Sequence, residues 1–173
     1  MQGTALQARI SRYLIVGYFE FKIGEFGKPK LTNSDLAFNL SHSKNKAIIA
    51  IAIDVQLGID IEYIDEKIKA KEIAGNFFSN EEIKQLCALE DVKLADGFFN
   101  IWTKKEAFIK AIGTGLTYPL DAFDVSLDNS EQKALTRLDN SFTEAQKWNL
   151  FSIKTFNNFK GALAYIGNAG LTP

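Results

Sequence analysis

Gly58-Ile59-Asp60-Ile61-Glu62 alternates apolar and acidic residues behind a glycine. Successive side chains of a strand point to opposite faces, so Ile59 and Ile61 share one face while Asp60 and Glu62 share the other. Upstream, Ala47 to Ile53 (AIIAIAI) is an unbroken apolar run rich in β-branched residues, and it predicts a strand buried on both faces. Downstream, Leu94 to Ile112 carries helical periodicity and stops at Gly113, a natural left-handed cap. Strands on both sides of a long helix give an α+β fold, with Phe123–Leu127, Leu150–Thr155 and Gly161–Ile166 as its later strands.

The 173 residues are 46% apolar and 12% aromatic, enough to bury a core as one domain or two small packed lobes. Lys and Arg (20) nearly balance Asp and Glu (21), so no global positive field recruits nucleic acid or an anionic membrane. Any anion site must be local. The one cysteine, Cys87, excludes an intrachain disulfide, and the one histidine, His42, excludes a multi-histidine metal cluster. The apolar run Leu14–Phe19 is too short for a membrane span or a signal core, which with the lone thiol makes the cytoplasm the default expectation.

Smaller features fill in the organisation. Leu6–Val16 has helical spacing, although Ile15–Phe21 reads equally as strand. Glu25-Phe26-Gly27-Lys28-Pro29 is turn chemistry that presents Lys28 on a loop, and Phe38–Ser43 is a short extended segment. A polar helix is expected over Asp65–Asn76, and Ser79 with Glu82 has capping-box spacing for a second helix from Ser79. Ser43–Ile51 and Asn157–Tyr165 each read as a polar turn followed by a small and apolar strand, which suggests an internal repeat. The repeat implies two related α+β lobes in pseudo-twofold arrangement, residues 1–57 and 58–173, with a site in the crease.

On a helical wheel Phe98, Ile101, Ile109 and Ile112 form one apolar arc, with Asn100, Lys104 and Ala111 opposite. Lys105 projects into the middle of that arc, so it must snorkel or meet an acidic partner or a ligand anion. Trp102, Glu106 and Lys110 follow one another at i, i+4 along its edge. Asp60 and Glu62 alone also suit a plain solvent-facing strand. A third carboxylate, Glu106, on a helix that could cross the strand turns the set toward Mg²⁺ or Mn²⁺, which prefer oxygen ligands and bind substrate phosphates. Lys28, Lys105, Lys110 and His42 are then counter-charges for phosphate, and Gly113-Thr114-Gly115 permits close backbone approach. His42, between two serines, reads equally as a structural hydrogen-bonder.

In order, Gly27-Lys28-Pro29, Phe38-Asn39-Leu40-Ser41-His42-Ser43, Gly58-Ile59-Asp60-Ile61-Glu62, Phe77-Phe78-Ser79 with Glu82, and Trp102-Thr103-Lys104-Lys105-Glu106-Ala107-Phe108-Ile109-Lys110-Ala111-Ile112-Gly113-Thr114-Gly115-Leu116 resemble a 4′-phosphopantetheinyl transferase of the Sfp type. The resemblance runs from about Gly27 to Leu127. It implies transfer of phosphopantetheine from coenzyme A to a serine of an apo acyl or peptidyl carrier protein of fatty-acid, polyketide or non-ribosomal peptide synthesis, with release of adenosine 3′,5′-bisphosphate. It also implies that Asp60, Glu62 and Glu106 hold Mg²⁺ on the pyrophosphate and that Glu106 takes the serine proton. Catalysis then falls to Glu106, Lys110 and Asp60. Lys105 and Lys110 are expected against the phosphates, His42 and Ser41 at the coenzyme, and Lys28 with Pro29 along its adenosine end. Glu82 is explained by capping alone.

Members of this type usually carry a longer first lobe with basic residues ahead of the Gly-Lys-Pro turn. Here 26 residues precede Gly27, and Arg9 and Arg12 match none of those positions. Either a shortened member or one whose first lobe is completed by another arrangement, such as a partner subunit, is therefore expected. Two lobes in one chain suggest a monomer, and a non-catalytic relic that binds coenzyme A or a carrier protein is the alternative function.

Overall fold

The structure, a computed structural model, describes residues 20–32, 34–131, 133–139 and 141–167. The helical reading of Leu6–Val16, with Arg9 and Arg12, lies outside the described residues. β1 (Phe21–Ile23) and β2 (Pro29–Leu31) form a hairpin over a turn in which Gly27 takes φ 84°. β3 (Leu36–Ser43) and β4 (Lys46–Ile53) form a second hairpin whose register, Ser43 opposite Lys46, leaves Lys44 and Asn45 as its turn. β5 (Gln56–Tyr63) follows.

The helices are α1 (Ala70–Phe77), α2 (Asn80–Cys87) and α3 (Leu94–Ile112). Ser79 caps α2 through the predicted capping box, and α3 ends at Gly113 with φ 75°, so both local signals hold. The helix expected from Asp65 starts only at Ala70. Beyond α3 come β6 (Phe123–Val125), β7 (Leu135–Leu138), the short α4 (Phe142–Ala145), β8 (Asn149–Ser152) and β9 (Phe159–Ile166). β5, β9 and β8 make one antiparallel sheet in that order, and β6 pairs with β7. Both stretches of the suggested repeat form a turn and a strand, and each turn holds a left-handed residue, Lys44 at φ 53° and Asn158 at φ 62°.

α3 lies across β5 and β9. Phe98, Ile101, Phe108 and Ile109 pack there with Phe123, Leu135, Leu150, Ala162 and Ala164 in one buried cluster. The wheel put Asn100, Lys104 and Ala111 on a side away from the core, yet all three are buried. The chain after α3 folds back over that side. Asn100 Nδ2 donates to the Leu127 carbonyl at 2.6 Å, and Lys104 Nζ donates to those of Ser126 at 2.7 Å and Asp128 at 3.1 Å. The helix is sandwiched rather than amphipathic against solvent.

β4 also departs from expectation. Its side chains alternate between half-buried and exposed, with Ile49, Ile51 and Ile53 on the open face. A two-stranded ribbon has two faces, and among the described residues only the one toward β5 is covered.

Candidate active site

β5 is built to accept neighbours on every side. Its face bearing Gly58, Asp60 and Glu62 meets α3, and a Cβ placed on Gly58 would lie 2.2 Å from both Ala107 O and Ala111 N. Glycine therefore lets the helix backbone lie on the strand, which brings Glu106 and Lys110 to Asp60 and Glu62. One edge of β5 pairs with β9. Along the other, alternate side chains of β3 take the place of a neighbouring backbone: Asn39 Oδ1, Ser41 Oγ and Ser43 Oγ accept from the N–H groups of Ile59, Ile61 and Tyr63 at 2.8, 3.3 and 3.1 Å.

The same serines hold the acids. Ser41 Oγ donates to Asp60 Oδ1 at 2.8 Å and accepts from Lys110 Nζ at 3.0 Å, while Ser43 Oγ donates to Glu62 Oε2 at 2.7 Å. Each hydroxyl spends its single proton on a carboxylate. Lys110 Nζ also donates to Asp60 Oδ1 at 2.6 Å and stays partly exposed. The second oxygen of Asp60, Oδ2, is buried without a hydrogen-bond partner among the described residues. A buried orphan carboxylate oxygen is costly and calls for a donor or a cation.

Glu106 and Glu62 sense the same charge. Burial raises the Glu106 carboxyl above the usual range, the negative charges of Asp60 and Glu62 add to it, and Lys110 opposes. Glu62 is raised chiefly by burial and further by Asp60, against the hydrogen bond from Ser43 and the charges of Lys110 and His42. Among the described residues, no three His, Cys, Asp or Glu side chains stand close enough to hold a metal ion as they are placed. In donor chemistry the set still fits a hard divalent cation, because it consists of carboxylate oxygens, one of them unpartnered.

Lys105 is not where sequence reasoning put it, and Lys28 is tied more closely than expected. Lys105 is wholly buried: Nζ meets Glu82 Oε2 at 2.8 Å, Leu120 O at 2.6 Å and Phe123 O at 2.8 Å. An ammonium has three donors and all are used, so Lys105 does not face phosphate. Its acidic partner is Glu82, whose other bonds come from the N–H groups of Ser79 and Val125. Glu82 is thus a structural hub as well as a cap.

Lys28 lies, as expected, on the loop between β1 and β2, but its ammonium is tied inward rather than held out to solvent. Its Nζ donates to Leu57 O at 2.7 Å and to Ala111 O at 2.8 Å, fastening the turn to β5 and to a last-turn carbonyl of α3 that has no partner within the helix. Burial, then the charge of Lys30, lowers it to about 8. A groove of about 550 Å³ opens beside it, lined by Phe26, Lys28, Pro29, Leu57, Gly113 and Thr114 among others. His42 is exposed on β3, on the opposite side of the strand from Ser41 and Ser43.

The structure therefore gathers Asp60, Glu62, Glu106, Lys110 and Ser41 at one place, sets Lys28 and Pro29 at a groove near the start of β5, and removes Lys105 to the core. Sequence reasoning missed Asn39 and Ser43. Their signal was short polar residues at period two in Asn39-Leu40-Ser41-His42-Ser43.

Residues 56–164 match the family model described as the 4′-phosphopantetheinyl transferase superfamily. The 4′-phosphopantetheinyl transferase HetI of Nostoc sp. (strain PCC 7120) is 33% identical over 168 residues, covering 94% of this chain and 68% of that protein. The 4′-phosphopantetheinyl transferase Sfp of Bacillus subtilis (strain 168) is 41% identical over 117 residues, 66% of this chain and 50% of Sfp. AcpT of Salmonella typhi, also named a 4′-phosphopantetheinyl transferase, is 31% identical over 121 residues, 69% of this chain and 62% of AcpT. The chain thus spans about half to two thirds of the length of these curated relatives.

Proposed function

The chain belongs to the 4′-phosphopantetheinyl transferase superfamily, and from that premise we propose that it transfers phosphopantetheine from coenzyme A to a serine hydroxyl of an acyl or peptidyl carrier protein, releasing adenosine 3′,5′-bisphosphate. The observation that carries the reading is the knot of Asp60, Lys110 and Ser41, with Asp60 Oδ2 left open beside Glu62 and Glu106.

Coenzyme A lies between the lobes, its nucleotide in the groove beside Lys28 and Pro29 and its pyrophosphate toward Lys110. Asp60, Glu62 and Glu106 would hold Mg²⁺, or Mn²⁺ in its place, and when bound the ion neutralises charge growing on the leaving phosphate. Glu106, beside Asp60 and Lys110, accepts the carrier serine's proton as the serine oxygen attacks the β-phosphorus. The new bond forms from that oxygen to phosphorus. The bond from the β-phosphorus to the bridging oxygen breaks, and the nucleotide leaves with the electron pair. Lys110, partly exposed and already bonded to Asp60, places its positive charge where the leaving group gathers electrons. Ser41 fixes both Asp60 and Lys110 for this task, while His42, exposed on the other side of β3, is given no step. A monomer acting in the cytoplasm completes the proposal; no helix among the described residues is long and apolar enough to cross a membrane.

One experiment tests it: the protein is incubated with coenzyme A, Mg²⁺ and an apo carrier protein, and the carrier is weighed by mass spectrometry. A gain of one phosphopantetheine, abolished in Glu106→Gln, is expected. The second reading, a binding relic, draws on the carboxylates not being gathered into a ready cage. Coenzyme A binding without any mass gain across several carriers would establish that reading instead.

A further inference from the structure

The direction of β5 divides the site into two ends. Leu57, at its start, touches Lys28 and the groove, the acids follow at Asp60 and Glu62, and Tyr63 closes the strand about 20 Å farther on at ~3.3 Å per residue. A nucleotide at the Leu57 end leaves the Tyr63 end for whatever accepts the transferred group.

That far end has its own character. The Tyr63 and Phe159 rings meet edge to face at 5.3 Å, and Phe156 adds to Phe159 at 6.1 Å. Tyr63 is 36% exposed and Phe156 45%. Lys44 Nζ stands 5.8 Å over the Tyr63 ring and Lys46 Nζ 4.9 Å over the Phe156 ring. Neither lysine joins an ion pair among the described residues, whereas in the other lysine-rich stretch Lys69 pairs with Glu72 and Lys71 with Asp91. Charges without an anionic partner among the described residues keep their field for a partner outside.

The turn itself gives up stability to carry one of them. Lys44 sits in the left-handed region at φ 53°, where glycine is favoured and another residue costs about 1 kcal/mol. Ser43, directly before it, holds Glu62 through its hydroxyl, so the turn is tied to the acid cluster.

We propose that Lys44 and Lys46, with the exposed rings of Tyr63 and Phe156, form the docking surface for an acidic face of the carrier protein, delivering its serine to the Glu62 end of the site. The inference rests on the reading above for the identity of the partner. Apolar rings with cations at their edge suit a partner surface of acidic residues around an apolar centre.

The test measures binding apart from chemistry. A fluorescently labelled apo acyl carrier protein, acidic around its serine, is titrated against the wild-type protein and against Lys44→Gly/Lys46→Gln, at low and high salt and without coenzyme A. Lys44→Gly gives the turn the residue its dihedral favours, so the variant's melting temperature should equal or exceed that of wild type. Carrier affinity should fall at least tenfold, the salt dependence should flatten, and affinity for coenzyme A should not change. A carrier with its acids replaced by amides should lose the same factor against wild type and no more against the variant. Unchanged carrier affinity in the variant, or polyphosphate competing as well as the carrier does, would overturn the proposal. The two readings fail separately. Carrier bound through these lysines by a wild-type protein that never loads it removes the transferase reading and keeps the surface; loading undiminished in the variant does the reverse.

Discussion

Lys105 lies in an apolar arc because Glu82 waits there for it. Burial pushes the Glu82 carboxyl up and the Lys105 ammonium down, each opposed by the other's charge, and the Phe123 ring lies 4.3 Å from Nζ. Removing one member leaves a buried charge alone, so Lys105→Met should cost about 3–5 kcal/mol in urea unfolding while the folded fraction binds coenzyme A as before. Weakened coenzyme A binding at unchanged stability would instead return Lys105 to the phosphates. Lys104 makes a separate case: burial lowers it to about 8, and its bonds go to neutral carbonyls. The folded pKa lies below the unfolded value near 10.5, so between those limits the unfolded chain binds a proton that the folded one does not, and stability rises with pH. The unfolding free energy of wild type relative to Lys104→Met should therefore grow from pH 8 to pH 10.5 by on the order of 1–3 kcal/mol. A gap that stays constant across that range would mean Lys104 titrates normally.

At the level of elements, the close seat of α3 on β5 turns on one missing methyl group. In Gly58→Ala the new carbon meets backbone on both contacts, which no rotamer change relieves, so about 3 kcal/mol or more of stability should be lost and the melting temperature should fall accordingly. Gly75 provides the internal contrast. It is exposed in α1 with nothing within 4 Å of an added Cβ, and Gly75→Ala should stabilise by about 0.5–1 kcal/mol through helix propensity. Equal effects of the two substitutions would refute the steric account. Both glycines are visible in the sequence; which of them has a helix pressed against it is not.

The molecule as a whole is joined at the acid cluster by side chains rather than by a continuous backbone sheet. The β3–β4 ribbon meets β5 through Asn39, Ser41 and Ser43, and Lys110 reaches across 69 residues of chain to Ser41. Asn39 lies outside the reacting groups, so Asn39→Ala isolates the joint: the buried Ile59 N–H loses its acceptor at a cost of about 1–3 kcal/mol. Faster amide exchange at Ile59 is expected, with the β9-side pairing of β5 still protected. Unaltered exchange there would show that the ladder holds nothing.

Short-range features were legible without coordinates. The capping box at Ser79 and Glu82, the left-handed stop at Gly113, the shared face of Asp60 and Glu62 and the i, i+4 placement of Glu106 and Lys110 all follow from dihedral preferences and from periods of 2 and 3.6 residues. The ordered motifs carried the family for the same reason, since their spacing records which elements must follow one another. What the chain could not announce is which distant partner satisfies each buried polar group. Lys28 meets the Ala111 carbonyl 83 residues away, Glu82 meets Lys105 and the Val125 N–H, and the apolar run of β4 is covered on one face and not the other among the described residues. A buried donor or acceptor must be paired, but the rule fixes only that a partner exists, and packing alone decides which one it is.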